Sequence, residues 1–304
     1  MILGCIDIGS NTTRLLVAEA GTGPLRELAA ERAYTCIRKS RADDGRIPPE
    51  KVAETVGVVS DQARRARELG AGEVVAVATA AIRDAPNRRE LERGVEEAAG
   101  IPLRVISGEE EARLSFLGAI GTGAEPVTGT LAVVDVGGGS TEIAIGSSAR
   151  GVEWWRSLPI GSGVLADRHL HSDPPLASEL DAVRREVTVV FDGLGAPAVD
   201  HVVAVGGTAT SLLGVLGRGL DEETLECGIE VLMRGTVDEL ARRLELDPAR
   251  VRVLPAGIVV LQALAARLGP LQIACGGLRE GVILDRAARA NAPGRPALAD
   301  GAVP

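Results

Sequence analysis

The apolar residues fall in runs that alternate between the periods of strand and helix. A run from Ile2 to Ile8 breaks at Gly9-Ser10-Asn11, and Thr13 to Ala20 resumes it, which predicts a β-hairpin with a polar tip. Val52, Val56, Val59, Ala63 and Ala66 then recur at spacings of four and three, so residues 50–69 read as a helix that Gly70 is placed to end. A strand from Glu73 to Ala78 follows, then a polar turn from Thr79 to Asn87, a helix to about Ala99, and a strand from Leu103 to Ile106. Ser107-Gly108-Glu109-Glu110 has the spacing of a capping box and opens a helix that runs through Ile120.

Gly121 to Gly129 is a small-residue connection containing proline, and the domain boundary is placed there. Beyond it the opening pattern returns. Leu131 to Val136 is a strand, Gly137-Gly138-Gly139-Ser140 a turn, and Ile143-Ala144-Ile145 the returning strand. Asp7-Ile8-Gly9-Ser10-Asn11-Thr12-Thr13 matches Asp135-Val136-Gly137-Gly138-Gly139-Ser140-Thr141, 128 residues further on. Two such hairpins, each opening half of the chain, predict a duplicated α/β fold whose hairpin tips face one cleft. Two more strand–glycine–helix junctions follow, at Gly206-Gly207-Thr208 and Gly276-Gly277-Leu278, and the tail from about Asn291 is expected to be disordered.

Composition narrows the function. With 45% hydrophobic and 25% charged residues in 304, the chain is globular and long enough for two domains. Aromatics are scarce at 2%, so the core is aliphatic, and lysine occurs only at 39 and 51. A net charge of −9 argues against nucleic acid or an anionic membrane as partner, yet a local cluster of arginines and backbone N–H groups can still hold phosphates. No signal-peptide pattern precedes the first strand and no uncharged apolar stretch reaches the length of a membrane span, so a cytoplasmic setting is expected. Cys5, Cys36, Cys227 and Cys275 form no C-x-x-C pair and read as reduced, buried thiols.

The chemistry concentrates at the hairpin tips. Gly137 to Gly139 with Ser140 can form a nest of N–H groups for an anion, since three glycines exceed what a tight turn needs. Gly207 and Thr208 open a helix, where the dipole also favours an anion, although close helix–strand packing with a threonine cap explains them nearly as well. Asp7 and Asp135 each end a strand at the cleft, and the duplication favours metal binding over an Asx turn. Glu142 lies on the returning strand at the same hairpin mouth. In Glu109-Glu110-Glu111, Glu110 suits the capping box, and a carboxylate at this helix start can deprotonate a water; helical geometry alone leaves Glu110 and Glu111 both open. Arg14 and Arg83 leave polar turns where their forks suit phosphate, so the cleft is expected to be locally positive.

Several blocks, in order over about residues 2–285, carry a family resemblance: Cys5 to Arg14, Ala78 to Arg83, Val105 to Leu114, Val134 to Glu142, Ser157 to Gly161, Gly206 to Thr210 and Gly277 to Gly281. Together they resemble the exopolyphosphatase/guanosine pentaphosphate phosphatase family. The resemblance implies two ribonuclease-H-like lobes of the actin-like ATPase and sugar-kinase fold, residues 1–123 and 124–290, with 291–304 as a tail. It implies release of terminal phosphate from polyphosphate or guanosine pentaphosphate with Mg²⁺ or Mn²⁺, and hence a link to the stringent response. Glu111 becomes the water-activating base, and Asp135 and Glu142 match the family's acids near the metal; Asp7 joins them as a candidate ligand through the duplicated hairpin alone. Gly137, Gly138, Gly139 and Ser140, with Ser10, Asn11 and Arg14, match the family's phosphate-holding loops, and Gly9, Thr12, Thr79, Arg83, Gly207 and Thr208 complete the candidate phosphate-binding set of this chain. A second copy of the chain is an expected partner.

Two departures from the family pattern stand out. The threonine–serine–alanine turn here reads Thr79-Ala80-Ala81, and a leucine–glycine-rich stretch reads Ile37-Arg38-Lys39-Ser40-Arg41. The chain is also expected to lack the extra helical domains of longer relatives. A kinase on this fold would need an adenosine pocket and an acceptor-sugar site, for which no motif is seen. A non-catalytic phosphate sensor would not need Glu111, Asp135 and Glu142 together.

Overall fold

A computed structural model describes residues 1–21, 23–123, 127–217 and 219–291. In the first half, β1 (Ile2–Ile8), β2 (Thr13–Glu19) and β3 (Arg26–Ala33) form an antiparallel meander. They are followed by α1 (Pro49–Glu68), β4 (Glu73–Ala78), α2 (Ala80–Arg83), α3 (Arg88–Ala99), β5 (Leu103–Val105) and α4 (Gly108–Gly121). The second half repeats the meander with β6 (Leu131–Val136), β7 (Thr141–Ser147) and β8 (Gly151–Leu158). It continues with α5 (Ser162–His169), α6 (Ala177–Phe191), β9 (His201–Val205), α7 (Gly206–Leu216), β10 (Gly219–Leu220) and α8 (Glu222–Met233). The remaining elements are α9 (Val237–Leu244), α10 (Pro248–Val251), α11 (Leu254–Leu268), β11 (Leu271–Ile273) and α12 (Leu278–Asn291).

The sheets run β3-β2-β1-β4-β5 and β10-β11-β9-β6-β7-β8, so each contains the same five-strand order about its first strand. In both, the first strand pairs antiparallel with the second and parallel with the strand that follows a helical crossover. This is the duplicated α/β architecture that the two hairpins predict. Each central strand is buried on both faces, which is why Ile2–Ile8 and Leu131–Val136 read as continuous apolar runs.

Edge strands β3 and β8 escape that pattern. Arg26-Glu27-Leu28-Ala29-Ala30-Glu31-Arg32-Ala33 leaves most of its side chains exposed, and pairing with β2 makes it a strand. The turn from Thr79 to Asn87 contains the four-residue helix α2. The stretch from 292 to 304, expected to be disordered, lies outside the described residues. Cys5 is buried as expected, but Cys227 and Cys275 are exposed.

Helix α4 joins the halves. Leu114 packs with Leu278, Val282 and Ile283 of α12 against the first sheet, while Ala112, Phe116 and Ala119 pack against Leu131, Val133 and Val205 of the second. The α4–α12 crossing is a backbone contact. A β-carbon on Gly118 would sit 1.9 Å from the Gly277 carbonyl oxygen, and one on Gly281 1.8 Å from that of Leu114. Glycine at both positions therefore sets how closely α12 returns to the first sheet, and with it the placement of α4.

Candidate active site

The two hairpin tips meet. In each turn the glycine after the strand donates its N–H across the tip, Gly9 to the Thr12 carbonyl at 2.9 Å and Gly137 to the Ser140 carbonyl at 3.0 Å. A β-carbon on Gly139 would fall 2.4 Å from Ser10 Oγ, and one on Gly138 2.9 Å from Asn11 Nδ2. Any larger residue at either position would have to push these Ser10 and Asn11 side-chain atoms aside. Each tip is also braced by the chain that follows its meander. The N–H groups of Cys36 and Arg38 bond the carbonyls of Asn11 and Ser10, and those of Ser162 and Val164 bond the carbonyls of Gly137 and Gly138.

Between the tips and α4 lies a cavity of about 60 Å³, room for a few waters. Gly9, Ser10, Asn11, Thr12, Thr79, Gly137, Gly138, Gly139, Ser140 and Gly207 line it, together with Arg14, Asp7, Glu111, Asp135 and Glu142. Most of the residues expected at the site are thus brought to one place. Because Gly137 spends its N–H on the turn, the nest expected of three glycines reduces to Gly138 and Gly139 as candidate donors.

Two expected phosphate ligands sit elsewhere. The Thr208 hydroxyl is buried and donates to the Val136 carbonyl at 2.7 Å, so it closes the β6–α7 junction, the packing alternative. Arg83 is not among the cavity-lining residues. Its guanidinium donates to Glu111 Oε2 and to the Ile106 carbonyl, both at 3.1 Å.

Helix α4 separates the two candidate bases. Ser107 Oγ accepts the Glu110 N–H at 3.1 Å, as a cap should, but the Glu110 carboxylate turns to Arg104 at 2.6 Å, away from the cap. Glu111 is 7% exposed and faces the cavity. Burial and the charge of Glu142 push its carboxyl well above the ordinary glutamate value, and Arg83 pulls the other way. One turn on, Ser115 donates to Asp135 Oδ2 at 3.1 Å. Burial raises Asp135, while Arg14 and the Ser115 bond oppose it. Glu142 receives Ser157 Oγ at 2.7 Å, and burial together with the Asp135 charge raises its carboxyl to about 7.

Asp7, expected beside Asp135 and Glu142 as a metal ligand, directs Oδ2 to Arg14 at 2.7 Å, and its Oδ1 is buried with no hydrogen-bond partner. Among the described residues no three His, Cys, Asp or Glu side chains converge closely enough to hold a metal ion by themselves. The expectation of a locally positive cavity also fails. Its lining carries Asp7, Glu111, Asp135 and Glu142 against Arg14 and Arg250.

Arg250 and Ser115 are residues at the site that the sequence does not mark, and Ser157 opens a resemblance block without its role beside Glu142 being legible. Arg250 lies on the short helix α10, is 8% exposed, and leaves Nε buried without a partner. Burial and the charges of Arg14 and Arg32 lower it to about 10. It is one arginine among many, reached only by the long excursion between β9 and β11. Gly206 reads in the sequence as part of a helix start. Its φ of +81° and a β-carbon position 2.0 Å from Asp135 Oδ1 make it the backbone wall behind that carboxylate.

Known proteins resemble this chain in sequence and fold. The profile of the Ppx/GppA phosphatase family matches residues 16–290. Exopolyphosphatase 2 of Mycobacterium tuberculosis is 33% identical over 296 residues, 88% of this chain and 90% of that one. An uncharacterized protein of Streptomyces coelicolor is 40% identical over 188 residues, 60% of this chain but only 54% of that protein's length. The crystal structure of the Aquifex aeolicus member of the Ppx/GppA family superposes with a TM-score of 0.81 at 28% identity, covering 96% of this chain and 99% of that one. With two mixed-sheet lobes of the actin-like ATPase fold closing on a cavity of paired carboxylates and glycine turns, this chain belongs to the Ppx/GppA phosphatases and is a phosphoanhydride hydrolase.

Proposed function

We propose that the chain is an exopolyphosphatase that removes the terminal phosphate of inorganic polyphosphate with Mg²⁺ or Mn²⁺. The observation that carries this reading is the placement of Glu111. It is a buried carboxylate, ion-paired to Arg83 and facing a cavity walled by both hairpin tips.

The residues present suit a divalent cation. Glu111, Asp135 and Glu142 are acids raised by burial and by neighbouring carboxylates, Glu111 by Glu142 and Asp135, Glu142 by Asp135, and Asp135 by Asp7, and Asp7 Oδ1 lacks a partner. A dication relieves that repulsion. Mg²⁺ is typically bound by one or two carboxylates, with water and substrate phosphate completing the shell, so Asp135 and Glu142 suffice as its protein ligands. When bound, the ion neutralises charge on the transferring phosphoryl group.

The chain's own groups do the rest. Glu111 takes a proton from a water as its oxygen bonds the terminal phosphorus. The bridging P–O bond on the opposite side breaks, and the shortened chain leaves with the electron pair. Arg83 opposes the rise of the Glu111 carboxyl and aims it. The N–H groups of Gly138 and Gly139, with Arg14 and Arg250, hold the phosphoryl oxygens, and Ser10, Asn11, Thr12, Thr79, Ser140 and Gly207 shape the space around them. Polyphosphate is taken as the substrate, free in the cytoplasm; no helix among the described residues is long and apolar enough to cross a membrane.

Phosphate release from long-chain polyphosphate, tripolyphosphate, guanosine pentaphosphate and ATP, with and without Mg²⁺, tests the reading. Release from polyphosphate that needs the metal is the expected result. Release from guanosine pentaphosphate alone would move the substrate to the nucleotide and the role to the stringent response. Release from neither would remove the proposal.

A further inference from the structure

Two of the buried acids belong to a row that crosses the second sheet. Asp135 stands opposite Glu142 in the β6–β7 ladder, and Glu142 stands opposite Ser157 in the β7–β8 ladder. Cross-strand partners share a face, so Asp135, Glu142 and Ser157 project from three adjacent strands to the same side.

Helix α4 lies over that row. Gly108, Glu111 and Ser115 follow one another at spacings of three and four, which puts them on one side of the helix. Each is set against one member of the row. Ser115 Oγ donates to Asp135 Oδ2 at 3.1 Å. Glu111 lines the cavity with Glu142, whose charge acts on it. A β-carbon on Gly108 would fall 2.5 Å from Ser157 Cβ and 2.7 Å from its Oγ, so the first turn of α4 rests directly on β8. A helical turn rises about 5.4 Å and neighbouring strands stand about 4.8 Å apart, so one turn per strand keeps the match along the whole row.

The two hydroxyls hold the two strand acids. Ser157 Oγ donates to Glu142 Oε1 at 2.7 Å, as Ser115 does to Asp135. A serine hydroxyl has one hydrogen, and here it goes to the carboxylate in each case. Neither serine lines the cavity, so each reaches it only through its acid. A carboxylate bonded to a fixed donor through one oxygen has the direction of the other oxygen set as well.

We propose that Ser157 and Ser115 are positioning residues that fix Glu142 and Asp135 for a divalent cation, and that Gly108 sets how closely α4 brings Glu111 to Glu142. One helix face thereby arranges the base and both metal-side acids together. The inference rests on the cation reading given above and is independent of whether the substrate is polyphosphate or a nucleotide.

The test measures Mg²⁺ binding without substrate, from the rise in melting temperature of the whole chain with Mg²⁺ concentration, beside steady-state phosphate release. In Ser157→Ala and in Ser115→Ala the Kd for Mg²⁺ should rise about tenfold or more, as is usual when a group that orients a metal ligand is lost. Turnover at low Mg²⁺ should fall with it and recover as Mg²⁺ is raised. Gly108→Ala keeps both hydroxyls. Its β-carbon cannot rotate away from Ser157 Cβ, so helix or strand must move, and kcat at saturating Mg²⁺ should fall about tenfold or more with KM changing less. A purely structural serine would lower the melting temperature in EDTA and leave the Mg²⁺ Kd unmoved. That result in either serine variant overturns the proposal, as does unchanged turnover in Gly108→Ala. Should one serine variant fail to fold, the other must show the weakened metal binding by itself; should both fail, Gly108→Ala decides. A wild type that releases phosphate yet binds no Mg²⁺ would remove the cation reading and this inference together. A wild type that binds Mg²⁺ no more tightly than the serine variants would leave the cation reading standing and remove the inference alone.

Discussion

Asp135 and Glu142 stand directly opposite one another across the β6–β7 ladder, and in the first hairpin the equivalent positions across β1–β2 are held by Asp7 and Arg14. The duplicated fold thus presents an ion pair from one lobe and a pair of like charges from the other. An ion pair satisfies itself. Two buried carboxylates do not, and on the proposed mechanism that asymmetry is why the cation is placed in the second lobe while Asp7 holds Arg14.

Glu111 and Glu110 differ in environment more than in sequence. Glu111→Gln should lower the turnover number by about 10²–10⁴-fold, the usual worth of a general base. Glu110→Gln gives up a part-exposed pair with Arg104, worth roughly 1 kcal/mol or less, and should leave turnover nearly unchanged. Steady-state phosphate release on both variants checks this; equal losses would sink the assignment of Glu111.

On the proposed mechanism Arg83, which donates to Glu111, acts through that carboxylate. Removing its charge in Arg83→Met takes away the group that opposes the raised Glu111 carboxyl, so the acidic limb of the pH–rate profile should move to higher pH. A higher KM with an unmoved acidic limb would instead make Arg83 a substrate ligand.

Metal-free protein should lose stability as pH rises. Glu142 has an ordinary value of 4.5 and a folded value of about 7. Below 4.5 the folded and unfolded chains both carry the proton. Between these values the unfolded chain releases it and the folded one keeps it, so this site's contribution is lost across that window, on the order of a few kcal/mol. Melting temperatures in EDTA should therefore fall from pH 4.5 to 7, and the slope should flatten in Glu142→Gln. Added Mg²⁺ should raise the melting temperature most at the upper end. An EDTA series with identical slopes for wild type and Glu142→Gln would contradict the placement of that carboxylate.

Gly206→Ala should damage both stability and turnover. The new methyl would need a positive φ and the space of Asp135 Oδ1, a strain of about 1–3 kcal/mol. Gly214→Ala, later on α7 with open space around it, should be neutral or stabilise by up to ~1 kcal/mol. Thermal melts and activity on the two variants make the comparison; matched behaviour would show that the backbone behind Asp135 yields.

The order of elements was legible because local rules produce it. Apolar runs mark β1 and β6, the 3.6-residue period marks α1, and the repeated Asp-x-Gly turns mark two halves facing one cleft. The hairpin tips were legible as a candidate site because the same glycine and hydroxyl pattern recurs at both strand ends. The edge strands β3 and β8 were not, since polar and apolar residues in RELAAERA and GVEWWRSL do not alternate strictly, and pairing with β2 and β7 is what makes them strands. Roles set by distant partners could not be read either. Arg83 became the companion of Glu111, Thr208 a packing hydroxyl, and Arg250 a wall of the cavity, each through contacts between residues far apart in the chain. The sequence by itself determined which residue types stand at each turn. Only the tertiary structure decided which charges face one another, because a buried group's charge and hydrogen bonds depend on what the rest of the chain packs against it.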